Sequence, residues 1–196
     1  MTTTNAIDQT RVPQRPHHHN VAPVPESGGK LAVRYVLVDS PIGWILVGGT
    51  DRGVAAVRLG DDPAALEAGI RTEFPDARHA SDPDQVRGWA RDIVRQLGGD
   101  PPRVDVPLDL HGTAFQRRVW DALRVIPRGE TRSYSEIAEI VGAPGAARAV
   151  ARVCATNPVA LVVPCHRVIR GDGGLAGYRW GVARKSALLE RERRQT

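Results

Sequence analysis

The sequence predicts an α+β chain of two modules, a small N-terminal α/β module and a helical C-terminal module containing a helix-turn-helix. Residues 32–59 hold three short β-branched runs split by Ser40-Pro41-Ile42-Gly43 and Gly49-Thr50-Asp51-Arg52-Gly53, the spacing of an antiparallel meander. From Thr113 the apolar period becomes helical, with Phe115, Val119, Trp120 and Leu123 on one face. Charge divides the same way: residues 1–113 carry 12 basic and 15 acidic side chains, whereas 114–196 carry 15 and 7, a net of +8. A chain of 196 residues has room for one domain or two small ones. We expect a disordered tail over 1–29, a first domain over 30–110 and a second over 111–196.

The elements follow in order. Residues 1–29 hold four prolines, three successive histidines (His17, His18, His19) and little apolar patterning, the composition of a disordered tail. After the meander, Asp61-Asp62 caps a helix over 63–74, and a second helix over 85–97 places Val86, Trp89, Ile93, Val94 and Leu97 on one face before Gly98-Gly99 stops it. Val104, Val106, Leu108 and Leu110 alternate with the period of a strand. The helix from Thr113 ends before Pro127-Arg128-Gly129. Ser133-Tyr134-Ser135-Glu136 is a capping box, S-x-x-E, that opens a short helix. Gly142-Ala143-Pro144-Gly145 makes a turn, and 146–155 resumes as helix, so the pair reads as a helix-turn-helix.

The chemistry gathers at Pro164-Cys165-His166-Arg167, which follows an apolar, strand-like run of Val159, Leu161, Val162 and Val163. A cysteine beside a histidine suggests an activated sulfur nucleophile, because an ordinary thiol is only a few per cent thiolate at neutral pH. The competing reading is a cysteine that merely packs. Cys154, the only other cysteine, falls within the second helix of the pair and is expected to pack. That helix, Ala146-Ala147-Arg148-Ala149-Val150-Ala151-Arg152, is too poor in polar side chains to read base edges in a major groove. It suits close, shape-driven approach to a groove, or equally close packing in a core. Lys185 is the only lysine after Lys30 in a chain that otherwise uses arginine, which points to a place where a planar guanidinium would not fit.

Asn157-Pro158, the apolar run, Pro164-Cys165-His166-Arg167-Val168-Ile169 and Gly177-Tyr178-Arg179-Trp180 resemble the O6-alkylguanine-DNA alkyltransferases, the methylated-DNA–protein-cysteine methyltransferase family. Arg170-Gly171-Asp172-Gly173-Gly174-Leu175 looks particularly like the alkyltransferase half of the bacterial Ada protein. The resemblance runs from about residue 31 to the C-terminus and is strongest after Gly112. It implies a ribonuclease-H-like fold for the first module and direct DNA repair: irreversible transfer of the alkyl group of O6-alkylguanine, with O4-alkylthymine a further candidate, to Cys165. It also implies base flipping, one turnover per molecule, double-stranded DNA bound through its minor groove, a monomer and no cofactor or metal.

The resemblance assigns roles residue by residue. Cys165 is the nucleophile, His166 takes its proton through a water, Glu192 orients the imidazole and Asn157 braces the turn. Tyr134, Tyr178, the backbone of Arg179, Lys185 and Val168 line the place of the extruded base. Arg148 fills the gap left in the stack, Tyr134 helps rotate the nucleotide out, and Ser135 and Ala147 meet the DNA. Extrusion makes physical sense, because an alkyl group on O6 inside a duplex is out of line for a thiolate held in a protein pocket.

Composition excludes several classes. There is no apolar run near 18 residues and no signal-peptide core, so a cytoplasmic protein without a membrane partner is expected. Two cysteines and no C-x-x-C pair argue against a disulfide framework or a structural zinc site, and with them against zinc-dependent phosphotriester repair. Three rivals remain. A non-enzymatic alkyl-lesion binder would not need Cys165, a plain helix-turn-helix regulator would leave residues 164–169 without purpose, and a cysteine hydrolase would not need a basic DNA-binding half.

Overall fold

The computed structural model describes residues 32–81, 84–99 and 105–195; the tail expected over 1–29, and Val104, lie outside them. Three strands, β1 (Arg34–Val38), β2 (Trp44–Gly49) and β3 (Val54–Gly60), form the antiparallel meander, and a short β4 (Arg78–His79) pairs parallel with β1. The sheet order is β3-β2-β1-β4. Side chains alternate between two cores, as the two-residue strand period requires. Leu46 and Ala56 face α1 (Pro63–Glu73), whereas Ile45, Val47, Val57 and Leu59 face α2 (Gln85–Leu97) and the rest of the chain. The cap expected at Asp61-Asp62 is Asp62, which accepts from the Ala64 N–H at 2.9 Å; α2 has its own at Asp84, which accepts from the Val86 N–H at 2.8 Å.

The C-terminal part is helical: α3 (Ala114–Arg124), α4 (Tyr134–Ile140), α5 (Ala147–Ala155) and α6 (Val182–Arg193). Both α3 and α4 open on reciprocal capping boxes, Thr113 with Gln116 and Ser133 with Glu136. Two-residue strands β5 (Arg132–Ser133) and β6 (Val168–Ile169) pair in parallel and tie the start of α4 to the segment after Cys165. One apolar core continues from the inner face of the sheet through α2, α3 and α5 to Cys165 itself. Among the described residues, no helix is long and apolar enough to cross a membrane.

Two expected strands take other forms. Of the alternating stretch before residue 111, the described residues 105–110 make a single bridge, Val54 to Leu108, through the Val54 N–H to Pro107 O (2.8 Å) and the Asp109 N–H to Val54 O (2.9 Å). Pro107 has no N–H to extend a ladder. The linker also presses on Gly53, where an added Cβ would stand 2.6 Å from the Pro107 carbonyl. The apolar run 159–163 is a buried turn rather than a strand: Leu161 has φ 72°, and the Val162 N–H bonds back to Ala160 O. Its burial on all sides gives the same apolar composition as a central strand, which is why periodicity alone misreads it. The run still touches the sheet, with the Val57 N–H on Pro158 O (2.8 Å) and the Ala160 N–H on Val57 O (3.2 Å). The outer edge of β3 therefore holds both the linker and the turn that leads to Cys165.

Candidate active site and nucleic-acid face

Cys165 opens a single 3-10 turn, Cys165–Arg167, and is 4% exposed. Asn157 sets its position. The side-chain carbonyl accepts the Val159 N–H at 3.1 Å, while its amide donates to Val163 O at 2.8 Å and to Cys165 Sγ at 3.1 Å. One buried amide thus closes the turn and reaches the sulfur, so the backbone brace expected of Asn157 comes with a direct bond to the nucleophile. Burial pushes the Cys165 thiol up; the Asn157 hydrogen bond and the Lys185 ammonium act against it. The resting sulfur is a thiol that needs a base.

His166, 2% exposed, places Nε2 2.9 Å from Glu192 Oε1. With the proton on Nε2 and donated to the carboxylate, Nδ1 is the free acceptor; it is buried and has no hydrogen-bond partner in the protein. Burial lowers the imidazole pKa and Glu192 only partly restores it, so the neutral, basic ring prevails at neutral pH. Burial alone would raise the Glu192 carboxyl, but hydrogen bonds from His166 and Arg167 hold it well below the usual carboxylate range. Arg167 grips both carboxylate oxygens, Nε to Oε2 at 2.9 Å and Nη2 to Oε1 at 2.8 Å, and donates Nη1 to Ile126 O at 2.8 Å. Sequence reasoning gave Arg167 no role. One arginine among 25 carries no signal in the sequence; it is the burial of Arg167 that requires a buried acid beside it.

The remaining expected residues converge from three directions. Val168 is buried and directly follows the 3-10 turn. Lys185, fully buried on α6, donates Nζ to Val168 O and to Leu175 O, both at 2.5 Å, and so holds the loop 170–181 against β6. Burial lowers its pKa, and the two cysteine sulfurs oppose that. Tyr134, half-buried at the start of α4, has its phenol pushed up to about 12, first by burial and then by Cys154 and Cys165. It stays a hydrogen-bond donor. Tyr178, on the loop, has a buried hydroxyl with no partner in the protein and a pKa raised well above the ordinary value by burial. Arg179 is exposed beyond it, with its guanidinium 4.7 Å from the centre of the Trp180 ring.

The nucleic-acid candidates lie outside this pocket. Arg148 and Ser135 are exposed and Ala147 is half-buried at the first turn of α5. The inner face of α5, Val150, Val153 and Cys154, packs in the core, and burial raises the Cys154 thiol strongly. The arrangement brings together a buried thiol, a carboxylate-oriented imidazole and protonated phenols beside an exposed alanine-arginine helix.

Residues 114–194 match the family described as 6-O-methylguanine DNA methyltransferase, DNA binding domain. The chain is 48% identical over 165 residues to the bifunctional transcriptional activator/DNA repair enzyme Ada of Escherichia coli, covering 84% of this chain but 47% of that protein, less than half its length. It is 45% identical over 164 residues to the methylated-DNA–protein-cysteine methyltransferase of Mycolicibacterium paratuberculosis, covering 84% of this chain and 94% of that protein. Among solved structures, the Mycobacterium tuberculosis OGT in complex with DNA is similar at 43% identity and a TM-score of 0.71, over 83% of this chain and 94% of the other.

Proposed function

The chain belongs to the methylated-DNA–protein-cysteine methyltransferase family, and from that premise we propose that it repairs DNA by moving the alkyl group of O6-alkylguanine onto Cys165. The observation that carries this reading is one buried cluster of two hydrogen-bonded pairs, Asn157 on the Cys165 sulfur and Glu192 on the imidazole of the adjacent His166, the parts of a nucleophile, base and orienter. His166 Nδ1 takes the thiol proton through a bridging water. The thiolate attacks the alkyl carbon opposite O6, the S–C bond forms as the C–O bond breaks, and the electron pair leaves on the guanine. Tyr134, held protonated, donates to the base as that charge develops. The proton from the thiol ends on guanine N1, so a thiol and an alkylguanine become a thioether and a guanine. Nothing in the site can expel a thioether sulfur, and each molecule acts once.

Supporting the DNA reading, α4, the glycine turn and α5 have the order of a helix-turn-helix, and α5 offers small side chains with Arg148 exposed among them. We place α5 in the minor groove, with Ser135 and Ala147 against the DNA, Arg148 in the space of the extruded nucleotide, and Tyr134, Tyr178, Arg179, Lys185 and Val168 around the flipped base. The sheet order β3-β2-β1-β4, antiparallel except for β4, supports a ribonuclease-H-like first domain over residues 30–110, with 111–196 as the alkyltransferase domain. Reduced thiols suit a cytoplasmic protein acting as a monomer. The stoichiometry tests the proposal. Excess duplex carrying O6-methylguanine is expected to lose one lesion per protein molecule and then no more, and none with Cys165→Ala; continued turnover would point to a hydrolase instead.

A further inference from the structure

Arg184 stands next to Lys185 in the first turn of α6, and its side chain reaches across to the N-terminal sheet. Nε donates to Ile42 O at 2.8 Å and Nη2 to Asp61 Oδ1 at 2.7 Å, across 142 and 123 residues of sequence. Nη1 donates to Trp180 O, two residues past Tyr178. The side chain is 13% exposed. One guanidinium therefore joins the β1–β2 turn, the end of β3 and the C-terminal end of the loop 170–181. The loop is otherwise anchored at its middle by Lys185 on Leu175 O, and residues 171–174 are exposed.

The seat for this guanidinium is built into the N-terminal sheet. Gly43 has φ 96°, and an added Cβ there would lie 3.3 Å from Arg184 Nη2 and 2.8 Å from Gly60 O. Ser40 holds the same turn through its hydroxyl on Gly43 O at 2.5 Å. The ion pair with Asp61 adds little, because Asp61 is 88% exposed. The two carbonyl bonds do more: they are charge-assisted, and arginine's planar fork can make both at once where lysine cannot.

We propose that Arg184 is a positioning residue that hangs the Tyr178–Trp180 segment, the wall of the alkylguanine pocket, on the N-terminal sheet. The inference rests on the alkyl-transfer reading above and gives the N-terminal domain a part in the reaction. Arg184 touches neither Cys165 nor its hydrogen-bonding partners, so its loss leaves the thiol as it is and loosens the surface against which the base is held. Misplacing a reacting group by a fraction of a bond length is enough to slow an in-line transfer severely.

The test is single-turnover methyl transfer from duplex O6-methylguanine with protein in excess, run beside the rate at which iodoacetamide labels Cys165 and a thermal melt. Arg184→Ala is expected to lower the maximal transfer rate about tenfold, the low end of what one charged hydrogen bond contributes, while the iodoacetamide rate stays within about twofold. Arg184→Lys is expected to fall between the two proteins, and it carries the test should the alanine variant not fold. Transfer at the wild-type rate in Arg184→Ala would overturn the proposal, as would transfer and iodoacetamide rates that change in parallel, since that marks general loosening. Wild-type protein that moves no methyl group at all would instead overturn the alkyl-transfer reading on which the clamp rests.

Discussion

At Cys165 the protein opposes the thiolate by burial, against which the Asn157 amide hydrogen bond, the Lys185 ammonium and a backbone hydrogen bond act. The acid limb belongs to Glu192. Its folded-state pKa is depressed below the unfolded value of about 4.3, so its contribution to stability is complete above that value. It is lost as pH falls through the lower folded pKa. Glu192→Gln leaves Arg167 buried without its counter-ion and is expected to cost about 3–5 kcal/mol near neutral pH. The gap in melting temperature between wild type and variant should then shrink between pH 6 and pH 3. A gap constant over that range would mean that the carboxylate charge does not hold the site. Cys165 with His166 and the single late Lys185 were legible in sequence because rare residue types stood in revealing company. Arg167 was not, since one arginine among 25 carries no signal until its burial is seen.

At the scale of elements, α4 and α5 could be read in advance because each boundary was written in a local code: Ser133-x-x-Glu136 at one end and Gly142 and Gly145 in the turn. The segment before α3 and the one after α5 could not. Residues 105–110 and 159–163 satisfy their backbone by single bridges to the β3 edge, a long-range arrangement that leaves only apolar composition behind. For α5 the account predicts a division of labour. If Arg148, exposed on α5, serves extrusion as proposed, its effect follows the cost of extrusion, a few kcal/mol in a duplex and nearly nothing in a single strand. Arg148→Ala should slow methyl transfer from duplex DNA about tenfold while changing the rate on a single-stranded oligonucleotide by less than about twofold. Equal losses on both substrates would place Arg148 in general DNA affinity and not in extrusion.

For the whole molecule, the two parts recognised by charge and periodicity share more than a linker. The apolar core is continuous from β2 and β3 to Cys165, the β3 edge is covered by residues 107–109 and 158–160, and the end of α2 receives Arg191 and Arg128 side chains on its Leu97 and Gln96 carbonyls. That second joint lies beside Glu192, whose carboxylate also accepts the Gly129 N–H at 3.3 Å. Calorimetry should accordingly show a single cooperative transition. Two resolved transitions would mean that the N-terminal domain is an independent neighbour of the site and not its support. The meander and the two capped helices of this domain were plain from sequence, whereas its contact with the active-site turn depends on tertiary pairing that no local pattern records.

Cys165 Sγ, and no other atom, is the proposed acceptor of the alkyl group. Intact mass followed by peptide mapping, after incubation with duplex DNA carrying O6-methylguanine, tests it most directly. The account predicts one added methyl per molecule, carried by the Cys165 peptide and absent from Cys165→Ala. DNA binding without a mass change would make the protein a lesion binder, and a methyl found on Cys154 would contradict the assignment of the nucleophile.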